Sequence, residues 1–405
     1  MKPSKNQIIV VGGGPVGLTA ALLLAQKEVP VTVIERSHDV QKDYRASTFH
    51  AGTLDLLEAS GITQGLLDMG IRCPQFQYRG WREGKIAEFD HALLRDDTRH
   101  PFRVQCEQFK LSEFLRDKLA AMPSVTLLYG HEVRSVEQDE DRVMVRAVGK
   151  DGEVAVDGVF LIGSDGGRST VRKSLGVDFP GFTYPERILV FGMTFDLPKI
   201  FPDMALINYI SDPDNYAHML RIPDLWRMSL PLAPEIPDEE ALSDGHIMRR
   251  LDGLLPGVRI DDIKVRGVYH VHQRVAASYR HGRIFLAGDA AHLNNPKGGM
   301  GLNGGLHDAV SLTQRIARFW HDGIDELDGY DAQRRPEAIN AVHKQTQNNY
   351  KSLKEGDPQE RQKVFDNWRR IAADPELAYQ QLLNTSMIAS LRRCGMLPDR
   401  QAAGV

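Results

Sequence analysis

Three short runs in this 405-residue chain bring together residue types that can do chemistry. Gly12-x-Gly14-x-x-Gly17 follows the β-branched run Gln7–Val11 and opens an apolar stretch from Pro15 to Gln26, and Glu35 closes the run Val31–Glu35. Glycines at this spacing permit a tight turn with close backbone approach. The helix behind them presents unpaired N–H groups to a pyrophosphate, and a carboxylate ending the next strand accepts from ribose hydroxyls. The motif specifies a dinucleotide without separating NAD from FAD. Two further loops, Gly163–Arg172 and Gly282–His292, set Asp165 and Asp289 where a strand ends against glycine, and a carboxylate there accepts from sugar hydroxyls. A second glycine match, Gly299-x-Gly301-x-x-Gly304, follows the polar loop His292–Lys297 instead of a strand, so it is not read as a second dinucleotide site.

These residues need elements to hold them. Gln7–Val11, Pro15–Gln26 and Val31–Glu35 read as a βαβ unit with a buried parallel sheet. Ser112–Ala121 reads as a helix, Val125–Leu128 as a strand, and Val143–Val148 with Val154–Leu161 as a hairpin joined through Gly149–Gly152. From Ile188 the pattern changes: Trp226, Met228, Leu230 and Leu232 alternate with Arg227, Ser229 and Pro231, the period of a half-buried strand that gives its charged residues a solvent face. A separate antiparallel sheet is expected over about 181–267. Ile284–Ala287 returns to a buried strand, Leu306–His321 reads as a long helix, and Tyr379, Leu382, Leu383, Met387 and Leu391 recur at helical spacing until Gly395 and Pro398. The expected fold is therefore α/β, a Rossmann-like βαβ domain with a parallel sheet, an inserted α+β substrate sheet and a helical C-terminal tail. The boundaries are 1–74, 98–180 and 268–345 for a discontinuous dinucleotide domain, 75–97 and 181–267 for the sheet domain, and 346–405 for the tail.

Composition removes other classes. Lys+Arg is 50 against Asp+Glu 54, a formal charge of −4, which gives no electrostatic reason to expect nucleic acid or an anionic membrane surface. The three cysteines, Cys73, Cys106 and Cys394, stand far apart with no C-x-x-C pair, which argues against disulfides and zinc and for a reducing, cytoplasmic setting. The residues around His292 have no partners at metal-ligand spacing, so no metal site is expected. Ile8–Gln26 carries no charge, yet Gly12-Gly13-Gly14-Pro15 interrupts it, which suits a strand, a turn and a helix better than a membrane span.

Together the glycine loops resemble the three fingerprints of the class A, single-component FAD-dependent aromatic hydroxylases, the para-hydroxybenzoate hydroxylase and phenol hydroxylase family. The match spans Ile8 to about Pro336. It takes in Arg45-Ala46, Gln108-x-x-Leu111, Pro296-x-Gly298-Gly299-x-Gly301-x-Asn303, Asp308-Ala309 and Tyr330-x-x-Gln333-Arg334-Arg335-Pro336, and it departs from the commonest spelling at Met300 and Leu302. The resemblance implies that FAD is held by Gly12, Gly14, Pro15, Val16, Gly17, Glu35 and Arg36. Arg45 and Gln108, with Gln105 as a rival, are placed at its phosphate and ribityl region. Asp289 is placed on the ribityl chain, and Asp165 where FAD and an incoming nicotinamide cofactor are both served. Pro296, Gly299, Gly301, Leu302 and Asn303 would face the isoalloxazine, where a helix N-terminus stabilises negative charge on reduced flavin.

The activity implied is monooxygenation of a phenolic or related heteroaromatic ring, with NADH or NADPH as transient reductant and O2 as oxidant, through a flavin hydroperoxide. Pro296 and Gly299 on the flavin side, and His50, Tyr209 and Arg221 on the substrate side, are the candidate catalytic residues; His218, Trp226 and Arg227 are further pocket candidates. Alternatives on the same fold are a flavin reductase or dehydrogenase of the geranylgeranyl-reductase type and a non-catalytic binding relative. A halogenase lacks its Trp-x-Trp-x-Ile-Pro signature here. A monomer or homodimer without nucleic-acid or membrane partners is expected.

Overall fold

The computed structural model describes residues 6–399 except Asp43 and Arg45, and no side chain at 341–343. The expectation for Arg45 therefore lies outside the described residues. A six-stranded sheet runs in the order Arg280–His281, Ile284–Leu286, Phe160–Gly163, Ile8–Val11, Val31–Glu35, Val125–Tyr129. All its pairs are parallel except that between Arg280–His281 and Ile284–Leu286. Its central strands are buried from end to end, as expected when helices cover both faces. Helix Pro15–Ala25 packs between helices Met300–Asp322 and Gln108–Ala120.

Several expected boundaries move. The hairpin ends at Gly158, and Phe160–Gly163 leaves it for the parallel sheet, because a wholly apolar Phe-Leu-Ile run satisfies a strand covered on both sides. Strand Glu132–Gln138 adds a third strand to that hairpin; its charged, largely exposed residues had hidden it. The helix expected from Ser112 begins at Gln108, and the one expected from Leu306 begins at Met300, inside the glycine-rich run. The C-terminal periodicity is broken at Met387, which takes φ 61° between helices Pro375–Thr385 and Ile388–Arg393.

The second large sheet has eight strands in the order His292–Leu293, Ile263–Val275, Gly181–Met193, Trp226–Leu232, Ala217–Arg221, Ile207–Ser211, Gln75–Gly80, Gly84–Asp90. It is antiparallel except where Ile207–Ser211 runs parallel to Gln75–Gly80. Alternation divides its side chains. Leu189, Phe191, Met219, Trp226, Met228 and Leu230 form a core with helix Asp244–Leu251 on one face. Tyr78, Ile188, Tyr209 and Leu220 stand on the other, where Phe365, Trp368 and Leu382 of the C-terminal helices cover part of it. Trp368 stacks on Tyr78 with centroids 4.2 Å apart. Contrary to the solvent face expected for the alternate residues of Trp226–Leu232, Arg227 and Ser229 are buried. The face they share is turned into the molecule.

Candidate active site

One cleft of about 450 Å³ runs between the parallel sheet and that inward face. At one end the chain turns at Gly12, Gly13 and Gly14 into helix Pro15–Ala25, whose N-terminus carries no side-chain cap, so its first amides are left to whatever occupies the cleft. Gly12 has φ 113° and lies where a Cβ would overlap the Ser164 carbonyl, whereas the Cβ direction at Gly14 is open. Glu35 receives the Gly13 amide at 2.7 Å and the Ser37 amide at 2.8 Å, which fixes its carboxylate at the cleft wall beside Arg36. Pro15 and Val16 also line the cleft; Gly17 does not. A Cβ on Gly17 would strike the Gly12 carbonyl, so this third glycine serves helix packing.

Midway along, Gln108 lines the cleft, while Gln105 lies behind it, bonded to Ser47 at 3.0 Å and Thr48 at 2.8 Å. Asp289 is exposed to the cleft. Its short turn is pinned from below by buried Asp308, which accepts from the Gly288 amide at 3.1 Å, His292 Nε2 at 2.7 Å and Arg334 Nε at 2.9 Å. Burial pushes the Asp308 carboxyl up, but His292 and Arg334 hold it below the ordinary carboxylate value. Asp165 also lines the cleft, yet its oxygens accept from Ser169 Oγ and the amides of Thr170 and Val171, so its carboxylate chiefly holds its own loop.

Farther along, Pro296, Gly299, Gly301 and Leu302 line the cleft where helix Met300–Asp322 begins. Gly298 and Gly299 adopt φ 109° and 69°, and a Cβ on Gly298 would lie 2.9 Å from Asn349 Nδ2. Two residues expected in the cleft stand behind this loop instead. Asn303 is fully buried, donating to the carbonyls of Thr48 at 2.8 Å and Gly299 at 2.7 Å. His50 is also buried, with Nε2 2.8 Å from the Gly298 carbonyl, to which it must donate. Burial, reinforced by Arg103, holds this imidazole neutral. Both position the loop; neither lines the cleft.

The far end is formed by the inward sheet face. Tyr209 and His218 face each other across paired strands, rings 5.4 Å apart, and both line the cleft with Leu220, Arg227 and Val271. Arg221, expected here, does not line it: in strand Ala217–Arg221 it alternates with His218 and Leu220 and shares the parity of Met219, which packs in the core of the opposite face. Trp226 belongs to that core for the same reason. Sequence reasoning missed Arg103, whose Nη1 donates to Tyr209 Oη at 3.0 Å, and Lys297, whose ammonium lies 3.4 Å from the Tyr216 ring centroid. Nothing in their local sequence distinguishes them, because the partners lie far away along the chain.

The donor set suits FAD: an uncapped helix N-terminus, a fixed carboxylate at the end of the second strand, an aspartate midway and a second helix N-terminus beside the sheet face. Comparison with known proteins agrees. The FAD binding domain family matches residues 5–345. The chain is 31% identical to a para-nitrophenol 4-monooxygenase of a Pseudomonas species over 95% of its length and 96% of that protein's. It is 32% identical to a 6-hydroxy-3-succinoylpyridine 3-monooxygenase of Pseudomonas putida, covering 91% and 95% of the two chains. A crystal structure of p-nitrophenol 4-monooxygenase from Pseudomonas putida superposes with a TM-score of 0.91 at 31% identity, covering 96% of this chain and 99% of that one.

Proposed function

The chain belongs to the FAD binding domain family and, within it, to the class A FAD-dependent aromatic hydroxylases, and from that premise we propose that it hydroxylates a small phenol or hydroxypyridine with NADH or NADPH as reductant and O2 as oxidant. The observation that carries this reading is the continuity of one cleft from the glycine turn to the face bearing Tyr209, His218 and Arg227. The names of the two relatives, a nitrophenol and a hydroxypyridine monooxygenase, support a single ring of that size.

Bound flavin supplies hydride acceptance and oxygen activation. The chain supplies the rest. Gly12–Val16 and Glu35 would hold the adenosine diphosphate part of FAD, and Gln108 and Asp289 the ribityl side of its flavin half. The loop Pro296–Leu302, braced by His50 and Asn303, would set a helix N-terminus beside the flavin ring system, where its N–H groups would favour negative charge. Tyr209, His218 and Arg227 offer polar contacts that orient the aromatic substrate, while Leu220 and Val271 exclude water. We assign the nicotinamide cofactor a transient place near Asp165. A reducing, cytoplasmic location accords with three free cysteines, and the described residues contain no helix long and apolar enough to cross a membrane.

A panel of phenols, hydroxybenzoates and hydroxypyridines tested for stimulated NAD(P)H oxidation checks the reading. At least one should accelerate oxidation severalfold. Equal rates with and without every ring would favour the reductase alternative.

A further inference from the structure

Three successive carbonyls of the flavin-side loop are held from behind by side-chain donors of three different segments. Asn303 Nδ2 donates to the Gly299 carbonyl at 2.7 Å, His50 Nε2 to that of Gly298 at 2.8 Å, and Asn349 Nδ2 to that of Lys297 at 3.2 Å. The first two lie within residues 5–345, the stretch that matches the FAD binding domain family. Asn349 lies beyond it, in helix Lys344–Leu353 of the C-terminal tail. Its amide group has one orientation to take, because Oδ1 accepts from Gln345 Nε2 at 3.1 Å one turn earlier and leaves Nδ2 for the loop.

The tail touches this loop at two further points. Lys297 is 1% exposed, and its Nζ lies 3.9 Å from the ring centroid of Tyr350, the residue after Asn349, and 3.4 Å from that of Tyr216 on the sheet. Met387, between the last two helices, packs on Met300.

A trans peptide points its N–H opposite to its C=O. Asn349 does not line the cleft, so with the Lys297 carbonyl drawn onto it the Gly298 N–H is turned to the other side, where Gly298 does line the cleft. Among the described residues that N–H finds no acceptor.

We propose that the C-terminal tail tunes the bound flavin through Asn349, a positioning residue that keeps the Gly298 N–H aimed into the cleft and so makes the flavin easier to reduce. The inference rests on the FAD reading of the cleft. Reduction by hydride brings two electrons and one proton, hence one negative charge, to the ring system, and an N–H dipole already fixed in place favours that charge without reorganising. Without the Asn349 bond the Lys297–Gly298 peptide is free to rotate, and the dipole is no longer fixed.

The test is the reduction potential of the FAD-loaded protein without substrate, measured anaerobically by visible absorbance against a reference dye. In Asn349→Leu, which keeps the bulk and removes the donor, the equilibrium constant for reduction should fall about tenfold, or about 30 mV for a two-electron couple, at unchanged FAD content. Gln345→Met, which only frees the Asn349 amide, should show part of that fall and carries the test if Asn349→Leu does not fold. Leu382→Ala, in the buried core of the same tail, should lower the unfolding midpoint and leave the potential at its wild-type value. A wild-type potential in Asn349→Leu, or in Gln345→Met where that variant carries the test, overturns the proposal. So does an equal fall in Leu382→Ala, which would trace the effect to a loosened tail instead of this bond. A fall confined to the Asn349 and Gln345 variants, in a protein that hydroxylates no ring, upholds the proposal and rejects the monooxygenase reading.

Discussion

At the end of the cleft assigned to the nucleotide the groups available are main-chain amides and one carboxylate, set by glycines at fixed spacing within some two dozen consecutive residues. At the end assigned to the ring the groups available are side chains from strands far apart in sequence: Tyr209, His218 and Arg227 come from three strands of the eight-stranded sheet, and Arg103, from strand Arg103–Gln105 of a separate three-stranded sheet, reaches Tyr209. On the proposed reading the first end takes a ligand part that many proteins share. On the same reading the second takes whatever ring its side chains fit. Substitutions should therefore separate: those at the glycine turn should cost cofactor, and those on the sheet should cost substrate affinity at normal cofactor content.

The largest effect is expected for Gly12→Val. Its φ of 113° and the Ser164 carbonyl leave no room for a β-branched side chain, so the purified variant should carry almost no FAD by its visible absorbance. Full FAD content would show that the turn is not the nucleotide cradle.

Asp308→Asn comes next, because it leaves buried Arg334 without its carboxylate and loosens the turn that carries Asp289. A loss of about 3–5 kcal/mol in chemical denaturation is expected. Since the folded carboxyl titrates below its unfolded value, its contribution is present above roughly pH 3.9 and disappears as pH falls through the folded value. The difference between wild type and Asp308→Asn should accordingly narrow in acid. A constant difference down to acid unfolding would mean that the charge is not what Arg334 needs.

Asp289→Ala removes one acceptor for the cofactor and should weaken FAD binding by about 1–3 kcal/mol, measured by equilibrium titration of apoprotein. Unchanged affinity would move the ribityl contact elsewhere. The smallest effect belongs to the ring end: Arg227→Gln should raise the substrate KM about tenfold, or about 1.4 kcal/mol, with FAD retention intact. Loss of FAD in this variant would blur the division between the two ends.

The same division explains what was legible in the sequence. Gly12, Gly14, Glu35, Asp289, Pro296 and Gly299 could be read because backbone geometry demands those residue types at those spacings, and all six line the cleft. Tyr209 was legible as a polar aromatic residue, but Arg221 was chosen over Arg227 because facing depends on strand register, which long-range pairing sets. His50 and Asn303 lie close to the flavin-side loop in space, and only the folded chain shows that they hold its carbonyls from behind. Arg103 gave no signal, since a lone arginine in the short strand Arg103–Gln105 looks like any other polar residue until Phe76 and Tyr209 close over it.

Oxygen transfer to the ring is tested most directly by single turnover: FAD-loaded protein, reduced in the presence of the best phenol from the panel, is mixed with isotope-labelled dioxygen and the product is weighed by mass spectrometry. One labelled oxygen atom per product molecule, carried on the ring, is the expected result. Reoxidation of the flavin with an unlabelled, unchanged phenol, for every ring that stimulates NAD(P)H oxidation, would contradict it.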